Sequence, residues 1–112
     1  MTTVNQSQLV APQQLGNADA ALYTVPTNTA IKIGRVVFTN TTAGAVTITA
    51  GITTGGALAA ATTLISARSL AAGESYVSPE LAGAVIPAGS QIHAFASAAA
   101  SVTFTASGLT IV

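Results

Sequence analysis

Cysteine is absent from the 112 residues, which excludes a disulfide framework and any thiolate metal site and leaves the redox compartment open. Charge is nearly absent too. Charged residues make up 5% of the chain against about a quarter in ordinary domains, and Lys32, Arg35 and Arg68 cancel Asp19, Glu74 and Glu80. Three scattered cations cannot supply the counterion release that drives binding to phosphates, so nucleic acid is excluded as a partner. A neutral surface with so few charges also has little electrostatic protection against association, and it suits a protein that lives in an assembly. There is no Trp, and aromatics are 4% of the chain. The core must therefore be thin, built from Val, Ile and Leu around a few rings, namely Tyr23, Phe38, Tyr76, Phe95 and Phe104. The N-terminal MTTVNQSQLV has neither a basic nor an apolar signal region, so no secretory signal is expected. The uncharged stretch between Arg35 and Arg68 is rich in Thr, Asn and Gly. A spanning helix needs about 20 predominantly apolar residues, so no membrane partner is expected either.

What the chain does have is alternation. In RVVFTNTTAGAVTITAG, from Arg35 to Gly51, Val46, Ile48 and Ala50 alternate with Thr47 and Thr49, the period-two pattern of a strand with one face on a core. The small residues Asn40 to Gly44 offer turn chemistry, and the stretch reads as a β-hairpin. The pattern returns at Ser101 to Gly108, SVTFTASG, and Val46 and Val102 stand 56 positions apart, half of the 112. Either the two hairpins are related, or Thr-rich hairpins resemble one another because their chemistry is limited. Further short strands are expected at Leu22–Pro26, Ala30–Thr39, Leu64–Leu70, Glu74–Ser78, Leu81–Ile86, Gln91–Ser97 and Ser101–Val112, with bulges at Gly34 and Gly108. Seven or eight such strands imply an all-β fold, an antiparallel β-sandwich of immunoglobulin-like or jelly-roll-like type, or else a small barrel. The expected core is Val36, Phe38, Val46, Ile48, Ile92, Val102, Phe104 and Leu109. Residues 1–19, polar and Gln-rich around Pro12, cannot bury their own ordering cost. They read as an extended N-terminal arm held by a neighbour, with residues 20–112 as the single sandwich domain.

Catalytic groupings are missing. Glu74 and Glu80 are near in sequence but set by no glycosidase geometry, and one His without a G-x-S-x-G elbow makes no nucleophile triad. No cofactor or metal site is expected. His93 alternates with Ile92 and Ala94, so it points away from the face they bury and reads as a surface or interface histidine bonded to a neighbour. The Thr ladder 47, 49, 103 and 105 reads as β-propensity on half-buried outer faces. Candidates for contact with a partner are Gln6, Gln8, Leu9, Val10 and Gln13 in the arm and the three cations Lys32, Arg35 and Arg68.

The order LYTVP (Leu22–Pro26), IGRVVFTNTT (Ile33–Thr42), SLAAGESY (Ser69–Tyr76), IPAGSQI (Ile86–Ile92) and a closing VTFTASG resembles small virion proteins of tailed bacteriophages, the β-sandwich head decoration, cement or fibre-like components. The resemblance covers roughly residues 20 to 112, and its motifs carry no functional residue over. It implies a non-enzymatic structural protein, a homo-oligomer and specifically a trimer, bound to the major capsid protein or another virion protein and assembled in the bacterial cytoplasm. Two functions follow, a capsid decoration or cement protein and a tail, baseplate or head-fibre component of the same particle; a third, from another class, is a host-surface carbohydrate-binding module, which the lack of Trp disfavours.

Overall fold

Alternating Val, Ile and Thr favour extended backbone because β-branched side chains pack well on a pleated surface. The computed structural model, which describes residues 3–79 and 81–112, is built from strands alone. These are β1 (Val4–Gln14), β2 (Ala21–Thr24), β3 (Ala30–Asn40), β4 (Val46–Thr53), β5 (Thr63–Leu70), β6 (Ser75–Val77), β7 (Val85–Ile86), β8 (Gln91–Ala96) and β9 (Val102–Ile111). They form two antiparallel sheets. The first runs β1-β9-β3-β6, with β7 also paired to β3, and the second runs β2-β8-β4-β5. The chain passes between sheets at nearly every connection, and with β6 and β7 together occupying one strand position the order is that of a jelly roll.

The half-chain echo in the sequence is a property of this topology. A shift of 56 of the 112 positions carries β1 onto β5, β3 onto β8, β4 onto β9, and β2 onto the neighbourhood of β6. The same exchange turns the order β1-β9-β3-β6 into β5-β4-β8-β2, the second sheet read from its other edge. Burial follows the pairing: Val46 with Val102, Ile48 with Phe104, Ala50 with Ala106 and Val36 with Ile92 are all in the core.

Both expected hairpins are corrected. β3 and β4 lie in different sheets, as do β8 and β9, so each Thr-rich stretch is a corner that carries the chain across the sandwich. Asn40 holds the first corner. Its buried amide nitrogen donates to the carbonyls of Gly44 at 2.8 Å, Leu70 at 3.1 Å and Ala71 at 3.1 Å, and its Oδ1 accepts from the Thr42 N–H at 2.9 Å and the Thr42 hydroxyl at 2.7 Å. One side chain thereby satisfies the backbone of two corners, where an unpaired buried carbonyl would cost about 1–3 kcal/mol.

The expected arm is corrected as well. Val4 to Gln14 pair with β9 along its whole length, and Leu9, Val10 and Leu15 are buried in the core. Two register shifts, at Gln8/Val10 and Val10/Gln13, explain why the apolar pattern of this strand is hard to read: each extra residue resets the alternation. The boundary placed at residue 19 separates a strand from its own sheet.

Phe38 and Phe104 meet edge to face, 5.0 Å between centroids, at the centre of the core, while Tyr23, Tyr76 and Phe95 are half-buried. Seven of the eight expected core residues are buried, and Leu109 is not. The reason lies in the bulges. Gly34 is the extra residue of β3, between Ile33 opposite Gly108 and Arg35 opposite Ser107. Gly108 is instead the residue that β3 closes upon, since a Cβ there would run into the Lys32 carbonyl oxygen. Without a bulge of its own, β9 keeps its parity past Ala106, and Leu109 points outward.

Candidate functional site

The outer face of the first sheet presents an open surface. Register sets its rows: Gln6, Leu109, Lys32 and Val85 stand abreast on β1, β9, β3 and β7. Gln8, Ser107 and Arg35 form the next row, and Thr105, Val37 and Val77 the one after. A groove of about 920 Å³ runs across them, lined by Gln6, Gln8, Arg35, Val37, Ser107 and Leu109 with Gly34 and Gly108 beneath. Lacking side chains, the two glycines leave the floor low where a strand face would ordinarily be filled. Val4, Val77 and Val85, exposed by 55%, 50% and 66%, stand around it.

The side chains of Gln6, Gln8, Lys32, Arg35 and Ser107 make no hydrogen bond or ion pair with any described residue; the ion pair identified among those residues joins His93 to Asp19. Thr105 is the exception in the groove, donating to the Val10 carbonyl at 3.0 Å. Donors and a guanidinium fork are thus displayed on a half-apolar face with no use among the described residues, the composition of a recognition surface.

The outer face of the second sheet is covered around His93. His93 is 6% exposed; its Nδ1 lies 2.8 Å from Asp19 Oδ1 and its Nε2 lies 2.8 Å from Gln91 Oε1, while the Gln91 amide nitrogen donates to Thr24 Oγ1 at 3.2 Å. Asp19 Oδ2 also accepts from the Leu58 N–H at 2.9 Å, which draws the segment 54–62 over the sheet. Gly51 makes that approach possible, because a Cβ there would strike the Thr62 carbonyl and the Leu58 side chain. Burial works against the Asp19 charge, but the Leu58 N–H and the His93 ring outweigh it and hold the carboxyl below its ordinary value. An Asp–His pair suggests a triad, yet the ring nitrogen that would activate a nucleophile faces Gln91 instead. His93 was expected at the surface with a polar neighbour. The neighbour is there, but the loops bury it.

Of the eight residues proposed from sequence for partner contact, Gln6, Gln8, Lys32 and Arg35 converge on this open face. Leu9 and Val10 belong to the core and leave the set. Gln13 is exposed further along β1, and Arg68 lies over the Tyr76 ring, 3.9 Å from its centroid, occupied in a cation–π contact. Glu74 caps its own turn, accepting from the Ala71 N–H at 2.9 Å, and Glu80 falls outside the described residues. Among the described residues no three His, Asp or Glu side chains gather to hold a metal. Sequence reasoning missed Val37, Val77, Val85 and Leu109 as surface residues; parity with Arg35 on β3 and with Ser107 on β9 was the available signal for Val37 and Leu109.

No family model matches the chain, and no curated protein matches it. Solved structures do. The VP2 subviral particle of infectious bursal disease virus is similar over 98% of this chain with a TM-score of 0.54 and 18% identity. The Gx strain of infectious bursal disease virus is similar over 99% with a TM-score of 0.55 and 18% identity. The T=1 particles derived from infectious bursal virus are similar over 98% with a TM-score of 0.54 and 16% identity. This chain spans about a third of the length of those proteins, 32%, 32% and 31% respectively. At such identity the likeness establishes a shared β-sandwich fold, the class of domain to which this chain belongs.

Proposed function

We infer that the chain is a non-enzymatic structural protein of a virion, and specifically a decoration or cement protein of a tailed-phage head. It seats the outer face of its first sheet on the shell. The observation that carries the reading is that open face, where the Gln6, Gln8, Lys32, Arg35 and Ser107 side chains have no hydrogen-bond or ion-pair partner among the described residues, on a fold shared with proteins of virus particles. The scarcity of charge, 5% of residues, supports a life in an assembly, as a homo-oligomer and, by the phage resemblance, a trimer. Attachment acts by mass action: a protein that binds the assembled lattice better than loose subunits stabilises the lattice in proportion to that difference.

The test is to purify particles from a producing strain lacking this chain, add the chain back and locate it by cryo-electron microscopy. Density at regular sites on the head is expected. Density confined to the tail or baseplate would replace decoration with the tail-component reading, and no binding to any part of the particle would remove the virion role.

A further inference from the structure

We propose that the outer face of the first sheet docks a protein surface that presents a carboxylate framed by apolar side chains. The inference rests on the attachment role just described and names the chemistry of its partner. Lys32 and Arg35 are two of the three basic residues in a chain of zero net charge, and both project from β3 onto this face, exposed. The described carboxylates cannot neutralise them: Asp19 is held by His93 and the Leu58 N–H beneath the opposite sheet, and Glu74 caps the turn at Ala71. Three residues apart on an extended strand, the two cations have Cα atoms about 10 Å apart. Side chains of that length can therefore converge on one acidic group. The guanidinium offers the two-pronged geometry that a carboxylate accepts, and Gln8 and Ser107 beside it in the same row can take the flanking polar atoms.

The surround decides the class of partner. Val85 stands next to Lys32, and Val77 next to Val37, both exposed by half or more. Exposed aliphatic side chains around a cation gain from a protein's apolar atoms and nothing from a phosphate backbone, which two cations could hold only weakly. A sugar would call for an aromatic platform, and no ring lines the groove. Four strands at about 4.8 Å spacing and some 30 Å of strand length give a face of roughly 500 Å² in projection. A stable interface takes about 800 Å² per partner, so a single copy binds weakly and an oligomer holds by several faces at once.

The experiment co-sediments the full chain with particles lacking it, at low and high salt, comparing wild type with K32E/R35E and K32Q/R35Q. Circular dichroism and the thermal transition confirm that each variant folds. The expected result is tenfold or greater loss of affinity for K32E/R35E, an intermediate loss for K32Q/R35Q, and salt sensitivity in wild type that the neutral variant lacks, the pattern of a solvent-accessible charge contact. Wild-type binding that neither variant nor salt alters would overturn the carboxylate partner and leave the attachment role standing. Charge reversal that breaks the homo-oligomer but spares particle binding would make this face a contact between copies, and would overturn the proposal too. Failure of the wild type to bind would remove the attachment role itself.

Discussion

The two sheets are counterparts under the half-chain shift, yet their outer faces have opposite characters. Where the first sheet places Arg35 and Val37, the second places Gln91 and His93. The second face spends its polar groups internally: His93, Gln91, Thr24 and Asp19 bond in series, the Ser97 hydroxyl accepts from the Thr47 N–H at 3.0 Å, and Thr49 accepts from the Ala67 N–H at 3.1 Å. Among the described residues, the first face leaves most of its polar groups without a partner. One topology thus gives a covered face that fixes loops and an open face available to a partner, and the difference lies in which side chains find a partner within the chain.

The largest expected effect comes from removing residues 1–15. It strips Leu9, Val10 and Leu15 from the core and uncovers the edge of β9. At about 1.5–3 kcal/mol per buried side chain, the loss is comparable to the whole stability of a domain, about 5–15 kcal/mol. The truncated chain is expected to lose its cooperative thermal transition; a transition within a few degrees of the full chain would mean that the open face does not need β1.

A pair of glycine replacements sharpens the contrast. Gly51→Ala must push the Thr62 carbonyl and Leu58 away and is expected to cost about 1–3 kcal/mol, the range of overpacking. Gly34→Ala brings a Cβ to 3.4 Å from the Ser107 carbonyl, ordinary contact, and is expected to stay within about 1 kcal/mol of wild type. Urea unfolding of the two variants measures both, and equal losses would show that the second face is no more tightly covered than the first.

The Asp19 tie gives a pH signature. Its folded pKa lies below the unfolded one, so the stabilisation is fully present above the unfolded value, about 3.9, and is lost as pH falls through the folded value. Asp19→Asn is therefore expected to lower Tm at pH 6–7, with the gap to wild type narrowing as the pH drops below about 4. A gap that stays constant down to pH 2 would show that the carboxylate charge contributes nothing to holding the loops.

The smallest effect on stability is expected where the effect on binding is largest. K32Q/R35Q removes two charges with no described ion-pair partner and is expected to change unfolding free energy by no more than about 0.5 kcal/mol. Destabilisation well beyond that would place these side chains among the supports of the fold.

The route from sequence to site turned on parity. Val46–Thr47–Ile48–Thr49–Ala50 and Val102–Thr103–Phe104–Thr105–Ala106 show their buried sides directly, because unbroken alternation has one solution once a single face is apolar. Lys32 and Arg35 were legible as off-core for the same reason. Leu109 was not: placing a bulge at Gly108 reverses the parity beyond it, whereas the extra residue is Gly34 on the neighbouring strand. β1 was illegible because its two register shifts break the alternation of Leu9, Val10 and Leu15 into what looks like a polar tail.

By itself, then, the amino-acid sequence determined the class of structure and the bulk of its core, since β-propensity, alternation and the lack of any helical stripe act locally and point one way. It also determined a surface with almost no charge. Tertiary structure decided the rest: that Asn40 closes a corner between sheets and not a hairpin, that Gln6 and Gln8 come to stand across β9 from Lys32 and Arg35, and that His93 meets an aspartate from a distant part of the chain. Each of these depends on which strands lie side by side, a long-range pairing that no window of neighbouring residues encodes.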